Sequence, residues 1–211
     1  MSNEIIISEN KVRRHSYFTM VLHWLLVSTV ISGIITANIK FSTSKTVHII
    51  GGCIMGLIWV VHLIYHYIIR GGSPIFPRKG DVKASMQLMK ATFSGAKEPP
   101  NGKYLPEQRL AYIYVLLCII LVFATGLGRV FGGERLHGGA QSLSHVQILG
   151  MLHGPAVFLL ILGVVAHLGA FLIKANRPLL IGMFKGKVDL KYVQQRHEIW
   201  YSDMQKKIIS K

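Results

Sequence analysis

Four long runs without Asp, Glu, Lys or Arg interrupt this sequence of 211 residues. A helix needs about 20 mostly apolar residues to cross the hydrocarbon core of a bilayer. Backbone groups inside hydrocarbon have no water to bond, so helices are the only open-ended way to cross it. We therefore predict an all-α protein, an integral membrane four-helix bundle, with spans at about 18–39, 47–69, 110–128 and 146–173.

The positive charge is concentrated in three segments. The net charge is +15, and 20 of the 24 Lys and Arg residues precede the first span or lie in the loop at about 70–109 and the tail at 174–211. Lys and Arg accumulate on the cytoplasmic side, so both termini and this loop are predicted to be cytoplasmic in a multi-pass bacterial inner-membrane protein. We expect these charges to meet anionic membrane lipid or an acidic partner. Within the loop, apolar residues among lysines predict a short interfacial helix at about 81–93. The basic tail is predicted to be a surface helix, a docking segment or a solvated positive face. Nucleic-acid binding is not expected, because the whole chain, 1–211, is predicted to form a single membrane-embedded domain.

Histidines inside the apolar runs are the candidate functional residues, because an ionisable side chain in a membrane span is expensive unless something satisfies it. Six of the ten histidines lie in or at the ends of the spans: His23, His48, His62, His66, His153 and His167. The other four lie in the tails or the outer loop, where we expect water or headgroups to satisfy them: His15, His137, His145 and His197.

The spacing of these histidines predicts two pairs. His153 and His167 are fourteen residues apart on one predicted helix, which places both side chains on one face, about 21 Å apart in height. His48 begins the second span and can meet His153 at the outer level. At the inner level, both His23 and His62 are available to His167.

Such pairs favour a planar iron macrocycle held by one imidazole from each side over zinc, which takes four ligands at one point. Small residues leave room for the rings between the helices: Gly33, Gly51, Gly52, Gly56, Gly126, Gly154 and Gly163. Two other classes of protein explain the histidines less well. A haem-free transporter would need acids within the spans and broken helices, which this sequence lacks. A haem-free protein that only anchors a soluble enzyme in the membrane would not need paired histidines within its spans.

Short motifs along the full length carry a family resemblance. They are HW at 23–24, KY and QR within 103–109, the fourteen-residue histidine spacing, GMFKGKV at 182–188 and HEIWY at 197–201. With these motifs in order, the chain resembles the cytochrome b (gamma) subunit of membrane-bound formate dehydrogenases. More loosely, it resembles the cytochrome b of membrane-bound nickel–iron hydrogenases.

The resemblance implies two b-type haems as cofactors, the outer one ligated by His48 and His153 and the inner one by His23 and His167. His62 departs from the formate dehydrogenase pattern. Because His48 and His62 repeat the fourteen-residue spacing, His62 is the alternative to His23 as the inner ligand, as in the cytochrome b of quinol-oxidising complexes.

The resemblance also implies a menaquinone or ubiquinone site beside the inner haem, with Tyr104 and Gln108 as the candidate residues. It implies two partner subunits, an iron–sulfur subunit docked outside and a catalytic subunit with molybdenum, tungsten or nickel–iron. The predicted function is electron transfer between the iron–sulfur subunit and the quinone pool, with quinone reduction on this chain. The alternatives are the cytochrome b of a hydrogenase or of a quinol-oxidising reductase such as thiosulfate reductase.

Overall fold

The computed structural model describes residues 6–7, 10–39, 41–69, 75–134 and 140–209. Its elements, in chain order, are β1 Ile6–Ile7, β2 Lys11–Arg13, α1 Tyr17–Asn38, α2 Ser44–Ile64, α3 Asp81–Ser94, α4 Pro106–Glu134, α5 Ala140–Gly169, α6 Arg177–Lys185, β3 Lys187–Asp189, α7 Leu190–Arg196 and α8 Glu198–Ile209. The beginning of the predicted loop (70–74), the end of the tail (210–211) and part of the predicted outer loop (135–139) lie outside the described residues.

Four helices are long and apolar enough to cross a membrane, at Tyr17–Asn38, Ser44–Ile68, Pro106–Gly132 and Gln147–Leu172. Large apolar side chains such as Leu25 and Ile35 point outward from α1, as expected for a helix that contacts lipid. The prediction of an all-α membrane protein with four spanning helices is confirmed.

Two helix ends differ from the sequence prediction. The third long helix begins at Pro106 rather than near 110, because proline fits the first helical position, where its missing N–H is not needed. The Oε1 atom of Gln108 then accepts the N–H of Leu105 at 3.1 Å, which is half of a capping box. The second long helix continues into a π-helical turn at Tyr65–Ile69, a rare form that occurs often at functional sites.

The chain divides into two compact units. The four-helix unit consists of Val21–Gly72 and Tyr114–Val165, and the loop-and-tail unit consists of Met1–Met20, Ser73–Ile113 and Ala166–Lys211. The two units have different kinds of interior.

Glycines bring the helices of the four-helix unit close together. The face of Gly163 on α5 meets the ring of Tyr114 on α4, where an added Cβ would lie 2.5 Å from a ring carbon. The Tyr114 hydroxyl donates to the carbonyl of Leu159 at 2.8 Å, so the ring is fixed in this position. Gly56 on α2 meets the ring of Phe123 in the same way. Small residues at such contacts let membrane helices pack closely.

The loop-and-tail unit has a small sheet and a core of its own. Strands β1, β2 and β3 pair antiparallel in that order, and Val12 is opposite Val188. The core cluster consists of Val12, Val188, Val193, Trp200 and Met204. The tail, which the sequence predicts to be a surface helix, a docking segment or a solvated positive face, supplies most of this core.

The GMFKGKV motif explains how the chain turns from α6 into β3. Gly186 ends α6 with φ 70°, in the left-handed region that glycine adopts without strain. Its N–H donates to the carbonyl of Gly182 at 2.8 Å, and its own carbonyl accepts the N–H of Arg14 at 2.8 Å. The motif therefore ties the segment before α1 to the segment after α6.

Helix α3 lies where the sequence predicted a short amphipathic helix, at about 81–93. Its exposed face carries Val82, Met86, Met89 and Phe93, whereas Leu88 on the opposite face is fully buried. The helix is confirmed; its position along the membrane surface remains a prediction.

Candidate functional site

His48 and His153, the predicted outer pair, lie together in the four-helix unit. Their ring centroids are 6.3 Å apart, and the two ring planes are inclined at 80°. His48 is on the first turns of α2 and His153 is in the N-terminal half of α5. Two long helices thus direct one imidazole each to the same place.

Hydrogen bonds fix which nitrogen of each imidazole is free. The Nδ1 atom of His48 is 3.1 Å from the carbonyl oxygen of Gly33 and 3.2 Å from the hydroxyl of Thr36. A carbonyl can only accept, so this Nδ1 carries the hydrogen. The Nε2 atom of His48 therefore retains its lone pair.

His153 is held in the same tautomer by a different group. Its Nδ1 atom is 2.9 Å from the hydroxyl oxygen of Thr125. That hydroxyl donates its own hydrogen to the carbonyl of Leu121 at 2.6 Å, so it accepts from His153. Metal-bound histidines typically donate their second N–H to such an acceptor, which fixes the ring and raises its basicity.

The pair fits a haem iron. Two imidazoles that bind one metal atom from opposite sides, each at about 2 Å, have ring centroids about 6 Å apart. The observed centroid separation is 6.3 Å. Space is present beside the pair: apart from the adjoining residues and the backbone of its own helix, no described heavy atom lies within 4 Å of a Cβ built at Gly33 or Gly52.

A zinc site is not supported in the part of the chain that the structure describes. No group of three or more His, Cys, Asp or Glu residues there could hold a metal ion. A protein-only metal site needs such a group, whereas a porphyrin supplies four ligands itself.

The other intramembrane histidines of the four-helix unit contact aromatic rings. The His23 ring lies 5.5 Å from the ring of Trp24. The His62 ring lies 5.3 Å from Trp59 and 4.4 Å from His66, which belongs to the π-helical turn. Both candidates for the inner ligand, His23 and His62, are thus in this unit, and the choice between them stays open.

His167 belongs to the loop-and-tail unit. It lies near the end of α5, and its ring packs edge-on against Phe171 at 5.5 Å. Its role as the inner ligand remains a prediction.

The quinone candidates Tyr104 and Gln108 meet around a buried arginine in the loop-and-tail unit. The Arg14 guanidinium donates to Oε1 of Gln108 at 3.3 Å and lies 5.3 Å from the Tyr104 ring and 5.6 Å from the Trp200 ring. Arg14 is only 4% exposed, and none of the ion pairs among the described residues includes it. Burial lowers the pKa of this guanidinium; the aromatic faces and neutral acceptors hold the charge instead of a carboxylate.

His197 corrects the expectation that the tail histidines are satisfied by water. It is fully buried, its Nδ1–H donates to the carbonyl of Gly102 at 2.6 Å, and its Nε2 lies 3.5 Å from Arg14. Burial, and then the neighbouring Arg14, lowers the pKa of His197 to about 3, so the ring is neutral. His15 is buried too, His137 lies outside the described residues, and the side chain of His145 is not described.

Two further arginines in this unit are paired with carboxylates. Arg109 contacts Asp81 with two nitrogens, one at 2.8 Å, and holds the pKa of that carboxyl below its usual range. Arg196 contacts Glu98 at 2.7 Å. The sequence prediction missed this cluster of Arg14, Arg109 and Arg196. The available signal was that the motifs which contain or adjoin two of these arginines, QR at 108–109 and HEIWY at 197–201, belong to the same set of family motifs.

The apolar helices and the histidine pair define a class, the membrane-embedded haem proteins. The sequence model of the prokaryotic cytochrome b561 family matches residues 14–186, and the chain belongs to that family. It is therefore a multi-pass bacterial membrane b-type cytochrome of electron transfer. No curated protein matches the chain. Both ends of the match, Arg14 and Gly186, are joined by the backbone hydrogen bond described above.

Proposed function

We propose that this chain, as a single membrane-embedded cytochrome b domain, is the di-haem b subunit of a respiratory oxidoreductase. It passes electrons across the membrane between an iron–sulfur partner subunit and the quinone pool. The observation that carries the proposal is the His48–His153 pair, with a centroid separation of 6.3 Å and both Nδ1 atoms hydrogen-bonded.

His48 and His153 would hold the outer haem through their Nε2 atoms. When bound, the haem supplies one-electron redox chemistry. The chain contributes the ligand orientation, through Gly33 and Thr125, and an apolar surrounding that excludes water. These hydrogen bonds raise the basicity of the imidazoles, which is one of the ways in which a protein sets the potential of its haem.

A second, inner haem is proposed from the sequence spacing and the resemblance. His167 is one ligand, and His23 is the other, with His62 as the alternative. Two haems at two depths would carry electrons across the bilayer in one direction or the other, depending on the partner subunit.

The quinone, menaquinone or ubiquinone, is proposed to contact Tyr104 and Gln108. The Oε1 atom of Gln108 already accepts from Arg14 and from the Leu105 N–H. Its amide NH₂ is therefore the group that it offers to a quinone carbonyl. Protons for quinone reduction come from the cytoplasm, because the apolar stretches 18–39, 47–69, 110–128 and 146–173 contain no Asp or Glu that could relay them.

The resemblance favours formate dehydrogenase as the complex, with a molybdenum- or tungsten-containing catalytic subunit and menaquinone as acceptor. The cytochrome b of a hydrogenase or of a thiosulfate reductase is the alternative within the same class. A haem-free anchor or transporter is the alternative from a different class.

A haem count on single-histidine variants tests the proposal. Pyridine haemochrome analysis of purified protein should give two haem b per chain for the wild type and about one for His48→Ala and His153→Ala. His66→Ala is the matched intramembrane control and should keep both haems. Between His23→Ala and His62→Ala, the variant that loses a haem identifies the inner ligand.

Two results would contradict the proposal. A folded, haem-supplied wild type without absorbance in the haem region would favour the anchor or transporter. Retention of both haems by His153→Ala would remove the outer pair as the ligands.

A further inference from the structure

A basic cleft lies in the loop-and-tail unit, where β2, β3 and α6 meet. Its volume is about 480 Å³, within the range of about 300–1,000 Å³ typical of small-ligand sites. The residues that matter for its chemistry are Lys11, Lys185, Lys187, Asp189, Tyr17 and Ile181.

The net charge of the residues that line the cleft is positive. Three lysines line it, against the single carboxylate of Asp189. Asp189 is opposite Lys11 in the β2–β3 register. Among the ion pairs that the described residues form, none includes Lys11, Lys185 or Lys187. Ammonium groups brought together in this way attract a compact anion, and lysine binds phosphate as a point charge.

The walls of the cleft add an apolar surface. Ile181, which lines it, is 53% exposed, and Phe184 on the same helix is 61% exposed. Tyr17, which also lines the cleft, is the first residue of a membrane-spanning helix. Arg13 lies over its ring, 4.9 Å from the centroid. Aromatic and basic residues in this combination are typical of the membrane–water interface.

We propose that this cleft binds the phosphate group of an anionic phospholipid. The lysines hold the phosphate, and Ile181 and Phe184 lie against the beginning of the acyl chains. The lipid is preferred over a soluble phosphate compound because one wall of the cleft, Tyr17, begins a transmembrane helix. Basic pockets next to membrane helices recognise lipid headgroups in this way. The proposal does not depend on the electron-transfer partner.

Native mass spectrometry of the haem-loaded protein in a neutral detergent tests it. The wild type should retain phosphatidylglycerol about tenfold more strongly than phosphatidylcholine. The double variant Lys185→Gln/Lys187→Gln should lose that preference. Lys185→Arg/Lys187→Arg, which keeps the charge, should retain it. Lys191→Gln/Lys206→Gln removes the same charge from exposed positions of the tail outside the cleft and should behave as wild type.

Three outcomes of the lipid-retention measurements would overturn the proposal. They are equal retention of both lipids by the wild type, unchanged retention of phosphatidylglycerol by Lys185→Gln/Lys187→Gln, and equal loss in both glutamine variants. Competition by inorganic phosphate at the concentration at which phosphatidylglycerol binds would also overturn it, because the site would then serve a soluble anion. The haem absorbance of each variant confirms folding independently of lipid.

Discussion

The two units of this protein differ in which polar groups they bury. In the four-helix unit, the described polar contacts between helices concentrate at a few positions, chiefly the His48–His153 pair and its hydrogen-bond partners. In the loop-and-tail unit, three arginines are buried together with the carboxylate of Asp81 and a neutral histidine, and the partly buried Glu98 pairs with one of these arginines. Buried charge is thus found where it links distant segments of the loop-and-tail unit, whereas the main polar contact between the described membrane helices is the pair proposed to bind a cofactor.

The forces that hold each unit differ accordingly. Helices that face lipid gain little hydrophobic free energy from packing together, so close contacts at small residues must stabilise them. The loop-and-tail unit has an apolar core around Val12 and Trp200, and its buried ion pairs fix which segments meet. Four variants separate these two kinds of stabilisation, in order of decreasing expected effect.

Breaking a buried ion pair should have the largest effect. Arg109→Leu leaves the carboxylate of Asp81, which is 4% exposed, without its partner. Removing one partner of a buried pair typically destabilises by about 3–5 kcal/mol. The measurement is the midpoint of thermal unfolding in detergent.

Two controls show whether that loss comes from the unpaired charge. Asp81→Leu/Arg109→Leu should recover part of the stability, because neither charge then remains buried. Lys97→Gln breaks the exposed pair with Glu198 and should leave the midpoint close to wild type. An Arg109→Leu midpoint equal to that of Lys97→Gln would mean that the buried pair does not stabilise this unit.

Overpacking a glycine contact should have the next largest effect. Gly163→Ala places a Cβ 2.5 Å from the fixed ring of Tyr114, and such strain typically destabilises by about 1–3 kcal/mol. Gly169→Ala on the same helix is the matched control: no described heavy atom lies within 4 Å of its Cβ, and its φ of −58° suits alanine. Equal unfolding midpoints for the two variants would contradict the close helix contact.

Acid should destabilise the loop-and-tail unit through His197. Its pKa is about 3 in the folded protein, against about 6.5 when unfolded. The unfolded chain therefore binds the proton first, and stability falls as the pH drops from about 6.5 towards 3, by at most about 1.4 kcal/mol per pH unit. His197→Asn keeps a donor for the carbonyl of Gly102 but does not titrate.

The readout is the difference between the unfolding midpoints at neutral pH and at about pH 5. The wild type should lose more stability over this interval than His197→Asn. Parallel profiles for the two proteins would show that His197 does not titrate differently in the folded and unfolded states.

Removing a hydrogen bond behind a haem ligand should have the smallest effect. Thr125→Val deletes the acceptor of the His153 Nδ1–H, and changes of this kind weaken metal binding by about tenfold or more. Thr36→Val is the matched control, because His48 still donates to the carbonyl of Gly33. Transfer of haem to an excess of a haem-free acceptor protein measures both; equal transfer rates for the two variants would argue against this role of Thr125.

The sequence predicted the parts of this structure that depend on neighbouring residues. The four spans and α3 follow from local apolar patterns, and the structure brings His48 and His153 together as their spacing predicted, although their role as ligands remains a prediction. The Arg14–His197 contact joins residues 183 positions apart, and no local pattern encodes such a pairing. The π-helical turn at Tyr65–Ile69 was missed because the sequence there has the same apolar pattern as the α-helix before it.

The pairing of β2 with β3 has a consequence for the order of biosynthesis. Strand β2 is synthesised before the four membrane-spanning helices. Strand β3, with which it pairs, is synthesised only after the fourth of them. Arg14 can therefore contact His197 only after the whole membrane region between them has been synthesised. Pairing of β2 with β3 is therefore a late step of maturation, which can occur only after the four membrane-spanning helices have been translated.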